Sequence, residues 1–185
     1  MRYSDMFHCL NPGFFEEERI RALPEDLIFT ELVMDLRGES PSGTPPVLGG
    51  ITFGEYRGAL SSLHSAVRRV DEDWVKYFRE GDRFYCAFDG DRIVSFCGLP
   101  DMGRFRELRV GGPGCVGTIP EYRGRGIGLE MVRLATETLR RDGYDLSWIH
   151  YTHLEGWYAK LGYRPILRWN SGGIVWKAEV NSFNF

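Results

Sequence analysis

The stretch from Val116 to Gly128, VGTIPEYRGRGIG, limits what this chain can fold into more than any other part of it. Residues 115–119 read as a strand that stops at Pro120, because proline cannot donate to a strand ladder. Glycine then occupies alternate positions 124, 126 and 128. Beyond it Val132, Ala135 and Leu139 share one helical face, Arg140 and Arg141 fall in the last turn, and Gly143 follows the end, so the spacing predicts a helix over residues 126–141. A strand therefore passes through a glycine-rich loop into a helix start. Such a start carries unpaired N–H groups and partial positive charge, and glycines let those amides reach a pyrophosphate without a Cβ in the way. Arg123 and Arg125 add two local cations. The bland alternative is a tight turn whose glycines merely satisfy backbone geometry. The dinucleotide fingerprint needs a glycine where Leu129 stands, and no Gly-Lys-Ser/Thr triplet exists for a P-loop, so neither NAD nor ATP is indicated.

Around this segment the chain reads as alternating strands and helices. Asn11-Pro12 predicts a short helix through Phe14, Phe15 and Ile20. Residues 27–36 are apolar at too many positions for either period to win, leaving strand and helix both open. Residues 37–50 are rich in Gly, Pro and Ser and predict a long connection. Phe53, Tyr56, Leu60, Leu63, Val67 and Val70 recur at three- and four-residue steps and predict a helix over residues 51–70, with Thr52 and Glu55 as a capping box. Asp71 then caps a shorter helix carrying Trp74, Val75 and Phe78, closed by Gly81. Strands are expected at 83–88 and 93–99, joined by a turn at Asp89-Gly90-Asp91, at about 106–110, and at 144–151, 163–166 and 173–180. A short helix is expected at 154–161.

Bulk properties narrow the function classes. A length of 185 residues fits a single domain over 1–185, and 43% hydrophobic with 14% aromatic residues supply enough apolar surface for a packed core. A net charge of −3 argues against the broad basic surface that nucleic-acid binding needs, so no nucleic-acid partner is expected. No run approaches the ~20 apolar residues of a membrane span. Cys9, Cys86, Cys97 and Cys115 show no CxxC spacing, and a signal-peptide pattern is missing, which points to a reducing cytoplasm. The predicted hairpin would set Cys86 opposite Ser95 and Cys97 opposite Phe84, so buried free thiols are expected rather than a bridge. No metal is expected.

With these elements in place, Arg123, Gly126 and Gly128 match the Arg/Gln-x-x-Gly-x-Gly/Ala signature of the GNAT superfamily of acyl-CoA N-acyltransferases, which the segment resembles. Trp157-Tyr158-Ala159-Lys160-Leu161-Gly162-Tyr163 resembles the same family's later Tyr-x-x-x-Gly-Phe element, and one helix and one strand separate the two motifs in the family's order. The resemblance covers residues 83–163, or 83–166 as a core region, with 1–50 as a variable acceptor-side region. It implies an α/β (α+β) layered sandwich, with a mixed, mostly antiparallel sheet splayed at its centre and helices on both faces. The splayed strands would be residues 115–119 and 144–151.

The resemblance further implies acetyl-CoA as co-substrate. The amides of Gly124, Arg125, Gly126, Ile127 and Gly128 would hold its pyrophosphate, with Arg123 alongside, and the backbone of Thr118 and Ile119 would pair with the pantetheine arm as an added strand does. Tyr158 would be the general acid that protonates the departing thiolate, since a phenol's ~10 and a thiol's ~8.5 are close enough for transfer. The reaction implied is acetyl transfer to a primary amine of a small molecule or peptide by direct attack. A non-catalytic CoA-binding regulatory module, and transfer of a longer acyl or aminoacyl group, stay open. Glu155, His150, His153 and Glu31 are candidate bases, none of them assigned. The family's Asn-x-x-Ala approach to the tyrosine is replaced here by Tyr151-Thr152-His153-Leu154, and a homodimer is left open.

Overall fold

A computed structural model describes residues 2–43 and 48–179. Its elements are α1 (Tyr3–Leu10), α2 (Glu18–Arg21), β1 (Phe29–Asp35), β2 (Ile51–Tyr56), α3 (Leu60–Arg68), β3 (Phe84–Asp89), β4 (Arg92–Gly98), β5 (Asp101–Phe105), β6 (Leu108–Gly111), β7 (Gly114–Thr118), α4 (Ile127–Arg141), β8 (Leu146–Thr152), α5 (Glu155–Ala159), β9 (Arg164–Asn170) and β10 (Gly173–Lys177). The strands form two sheets, one ordered β2-β3-β4-β7 and the other β10-β9-β1-β8-β6-β5. Pairing is antiparallel except between β6 and β8, which run parallel. The splayed strands named from the sequence are β7 and β8, and they belong to different sheets.

The smaller sheet is covered on both faces, which is why its central strands are apolar at nearly every position. Phe84, Cys86, Ile93 and Phe96 pack against Leu63, Ala66 and Val67 of α3. On the other face Tyr85 and Cys97 meet Met131, Val132, Ala135 and Leu139 of α4. Each large apolar side chain so buried contributes roughly 1.5–3 kcal/mol. In the larger sheet Leu32, Met34 and Ile149 face α4 and α5, while Phe29, Val33 and Trp148 face Phe7 of α1 and Phe14. Strand β1 is buried on both sides, hence the lack of period in residues 27–36.

Several expectations are corrected. The helix expected over 51–70 exists only in its second half. Residues 51–56 instead pair with β3, Thr52 opposite Phe88 and Glu55 opposite Tyr85, so no capping box forms. The open edge of the β3/β4 hairpin takes this Ile-Thr-Phe segment as a partner, and Arg83 holds Glu55 at 2.5 Å. Near the N-terminus the helix is α1, preceding Pro12, and Phe14–Glu16 is a single 3-10 turn before α2. A bulge between Ala87 and Phe88 shifts the hairpin register, placing Cys86 opposite Phe96 and Cys97 opposite Tyr85. Cys86 and Cys97 are buried free thiols, as expected, and Cys9 and Cys115 are free too. Asp71 does cap the 3-10 segment after α3, accepting from the Asp73 N–H at 2.9 Å. Strand β5 was not foreseen, and residues 44–47 of the long connection and Val180 of the last expected strand lie outside the described residues.

Candidate active site

The two sheets part where β6 hands over to β7. β6 pairs with β8 only through Val110 opposite Leu146 and Gly111 opposite Ser147. The chain then crosses β8 at Gly112, where an added Cβ would sit 1.9 Å from the Trp148 carbonyl oxygen, so only glycine passes. From Gly114 onward β7 belongs to the other sheet, and the two strands diverge. Each carries a non-glycine residue in the left-handed region, Cys115 at φ 48° on β7 and Tyr151 at φ 59° on β8. Both lie at register shifts. Bulges of this kind end pairing and re-aim side chains, at a backbone cost of order 1–3 kcal/mol each.

At the far end of β7 the loop into α4 leaves a row of donors open. Gly126 is the N-cap at φ 80°, and no side chain caps the helix. Among the described residues no acceptor meets the N–H groups of residues 124–129, and the first helical bond is Glu130 N–H to the Gly126 carbonyl at 3.1 Å. Ile127 anchors this turn, buried against Ala87, Val94 and Ile119. Gly128 is needed for a steric reason: a Cβ there would lie 2.8 Å from Thr118 Oγ1, which is hydrogen-bonded to Ser95 Oγ at 2.9 Å. Arg123 folds back so that its Nε donates to the Thr118 carbonyl at 3.0 Å. The Arg125 guanidinium lies 5.2 Å from the Tyr122 ring centroid.

The two expected backbone contacts on β7 differ. The Ile119 N–H donates to the Val94 carbonyl at 3.0 Å, and its own carbonyl accepts from the Tyr122 N–H. By the alternation of an antiparallel ladder, the Thr118 backbone groups then turn to the strand's unpaired edge. The Thr118 amide therefore lies on the open edge of β7, while the Ile119 amide is used within the sheet.

Tyr158 lies on α5, only 5% exposed, in the cluster with Ile149, Met131 and Tyr163. Burial, with Tyr163, Cys97 and Cys115 nearby, pushes its phenol well above the ordinary range. Cys115 is the β7 bulge residue, so Tyr158 stands beside β7. Its hydroxyl has no hydrogen-bond partner among the described residues. The neighbouring Trp157 lies within 3.7 Å of where a Gly128 Cβ would be, which seats α5 against the start of α4.

The four candidate bases separate clearly. Glu155 is held by Arg168 at 2.9 and 3.1 Å and by Thr30, and Arg168 keeps its carboxyl below the usual range. His153 is exposed. Glu31 and His150 come together. The Glu31 carboxylate is fully buried and accepts from Trp148 Nε1 at 2.7 Å, Trp169 Nε1 at 2.7 Å and the Tyr151 N–H at 3.1 Å, and it meets His150 Nδ1 at 2.8 Å. Two bulges surround it: β8 places both His150 and Tyr151 against it, and the β1/β9 register also shifts at Glu31. Sequence alone does not disclose this arrangement, because it depends on the pairing of strands more than a hundred residues apart.

A model of the acetyltransferase (GNAT) domain matches residues 53–166. The chain belongs to the GNAT acetyltransferase family. This GNAT chain resembles, at 20% identity and a TM-score of 0.65, a GCN5-related glucosamine N-acetyltransferase region of a fungal multi-domain GH3 beta-N-acetylglucosaminidase, covering 85% of the chain and 22% of that protein. It also resembles GCN5-related N-acetyltransferases from Sphaerobacter thermophilus (17% identity, TM-score 0.57, 76% of this chain and 49% of that one) and Kribbella flavida (18%, 0.55, 83% and 60%). The chain thus spans a fifth to three-fifths of these proteins' lengths, and the likeness is one of fold. No curated protein sequence gave a significant match. The family uses acetyl-CoA as co-substrate. Among the described residues no helix is long and apolar enough to cross a membrane, and no group of His, Cys, Asp or Glu side chains is placed to hold a metal.

Proposed function

We propose that this chain, as one domain over 1–185, transfers an acetyl group from acetyl-CoA to a primary amine of a small molecule or peptide, by direct attack in the cleft between β7 and β8. The observation that carries the reading is the row of amides at residues 124–129 that has no acceptor among the described residues, at the mouth of a fifteen-residue helix. Unpaired N–H groups at a helix start, with the helix dipole behind them, suit a diphosphate. Gly124, Arg125, Gly126, Ile127 and Gly128 supply the amides. Arg123 keeps the loop on β7 through the Thr118 carbonyl, and its terminal nitrogens remain for phosphate. The Thr118 edge amide pairs with the pantetheine arm, and Ile119 packs beneath it.

The chemistry asked of the site is modest. The amine attacks the thioester carbonyl, a C–N bond forms, and the C–S bond breaks. Tyr158 donates to the departing sulfur, a transfer that burial makes harder than an ordinary phenol's because it raises the Tyr158 hydroxyl further above a thiol. Its lack of another partner leaves that proton free for the purpose.

Titration calorimetry with CoA and acetyl-CoA tests the reading. Binding in the micromolar range is expected, weakened about tenfold or more by Arg123→Ala and Gly126→Val. Absence of binding, or binding indifferent to both substitutions, overturns it. Thiol release from acetyl-CoA across an amine panel separates catalysis from a non-catalytic CoA-binding module.

A further inference from the structure

Acetyl transfer to an amine leaves one proton unassigned, the one the nitrogen must lose as the C–N bond forms. We propose that His150 is the base that takes it, and that Glu31 is the positioning residue that fixes the imidazole; this rests on the acetyltransferase reading above.

The hydrogen bonding sets the tautomer. An ionised carboxylate only accepts. Glu31 Oε2 already accepts from Trp148 Nε1 at 2.7 Å, so His150 Nδ1, at 2.8 Å from the same oxygen, is the N–H side of its ring. The lone pair of the neutral imidazole then sits on Nε2, the nitrogen away from Glu31. The other Glu31 oxygen is fixed by Trp169 Nε1 at 2.7 Å and the Tyr151 N–H at 3.1 Å. A carboxylate clamped by three further donors cannot swing, so the ring it holds is fixed as well. The histidine keeps a quarter of its side-chain exposure while Glu31 has none.

Placement supplies the second argument. β8 has its last β6 partner at Ser147 and is crossed by Gly112 at Trp148. His150 is therefore the second residue after the strands part. The bulge at His150 and Tyr151 turns this ring to the face lined by Phe7 and Phe14, with ring centroids 6.1 and 5.3 Å away. Tyr158 and α4 lie on the opposite face of β8, with Ile149. An amine arriving from the N-terminal side would meet His150, while the thiolate departs on the Tyr158 side.

The charged and titratable groups around this ring come from several elements. They are Glu31 of β1, His8 of α1 edge-on to Phe7, Arg19 of α2 over the Phe14 and Tyr151 rings and paired to Glu17, and Tyr77 beside Tyr151. Glu31 alone is buried in contact with the imidazole. In the reaction the attacking nitrogen forms its bond to the carbonyl carbon and gives its proton to Nε2. The electron pair of the breaking C–S bond goes to sulfur, which takes the Tyr158 proton. Solvent then carries the imidazolium proton back to the phenolate, leaving amide and CoA thiol.

The test uses the full chain with acetyl-CoA and a panel of spermidine, glucosamine and tyramine, following thiol release against pH. His150→Gln is expected to lower kcat/KM by about 10²-fold or more and to abolish the acid limb of the profile. CoA binding by calorimetry should stay within twofold and the melting temperature close to that of the parent. Glu31→Gln is expected to lower kcat/KM by a smaller factor and displace the acid limb; should that variant fail to fold, His150→Gln decides alone. Partial recovery of a His150→Ala variant on adding free imidazole supports a base, since a packing role would not be so rescued. Retention of both rate and acid limb by His150→Gln overturns the inference and leaves the acetyltransferase reading standing. A parent protein that releases no thiol with any of the amines overturns both.

Discussion

Thr118 and Gly128 touch so closely that a single methyl group cannot fit between them: a Cβ at 128 would lie 2.8 Å from Thr118 Oγ1. The hydroxyl cannot turn aside without leaving its 2.9 Å bond to buried Ser95. Gly128→Ala is expected to cost about 1–3 kcal/mol and to weaken CoA binding by lifting the start of α4 from β7. Thr118→Ala in the same chain should recover much of the loss, a non-additivity that a denaturant double-mutant cycle measures. Additive costs would mean the contact is not what limits residue 128.

Tyr158→Phe removes a hydroxyl that has no partner among the described residues, so folding stability should change by less than about 1 kcal/mol. Turnover should fall about tenfold to a hundredfold with CoA affinity unchanged. Equal losses in kcat and in CoA binding would assign Tyr158 to the walls of the cleft instead.

Tyr163 is the contrasting phenol. Its oxygen lies 2.7 Å from Thr136 Oγ1 on α4 and 2.6 Å from Ser147 Oγ on β8, and all three residues are buried. Tyr163→Phe strands the buried Ser147 hydroxyl, while Thr136 keeps its 2.8 Å bond to the Val132 carbonyl, and should cost about 1–3 kcal/mol by urea unfolding, while acetyl transfer at a temperature well below the melt stays near the parent rate.

The thiols predict an alkaline weakness. Burial pushes Cys86 up to about 12 and Cys115 up to about 11. The folded chain therefore holds protons that the unfolded chain gives up from about pH 9. The sign follows: this contribution is intact below pH 9 and is lost as pH rises toward 11 and 12. The melting temperature should drop across that interval, and less steeply in Cys86→Ala. At neutral pH a thiol reagent should modify exposed Cys9 and leave Cys86 and Cys97 unmodified.

What could be read beforehand was whatever is encoded locally. Pro120, the alternating glycines and the face of Val132, Ala135 and Leu139 mark β7, the loop and α4 without reference to the rest of the chain. The helix over 51–70 misled because Phe53, Tyr56, Leu60 and Leu63 keep helical spacing across what is a strand, a turn at Gly58 and a helix, with the Tyr56 hydroxyl bonded to the Ala59 carbonyl at 2.8 Å. Gly58 and the β-branched start at Ile51-Thr52 were the available warnings. β1 and the Glu31 cluster were beyond local reading. A strand buried on both faces has no period, and bulges at Tyr151 and Cys115 answer to partners in distant strands.

The position of β1 has a consequence for how the molecule comes into being. Phe29–Asp35 is made early, yet its two neighbours in the sheet are Leu146–Thr152 and Arg164–Asn170. Until the ribosome has delivered those segments, this greasy ribbon has no sheet to enter, and bringing the two ends of so long a loop together is slow. The smaller sheet and α4 draw only on residues 51–141 and can assemble first. The nascent chain would then carry a finished smaller sheet and α4 alongside an unpaired apolar strand, a window in which chaperone capture or wrong pairing with a second copy competes with closure.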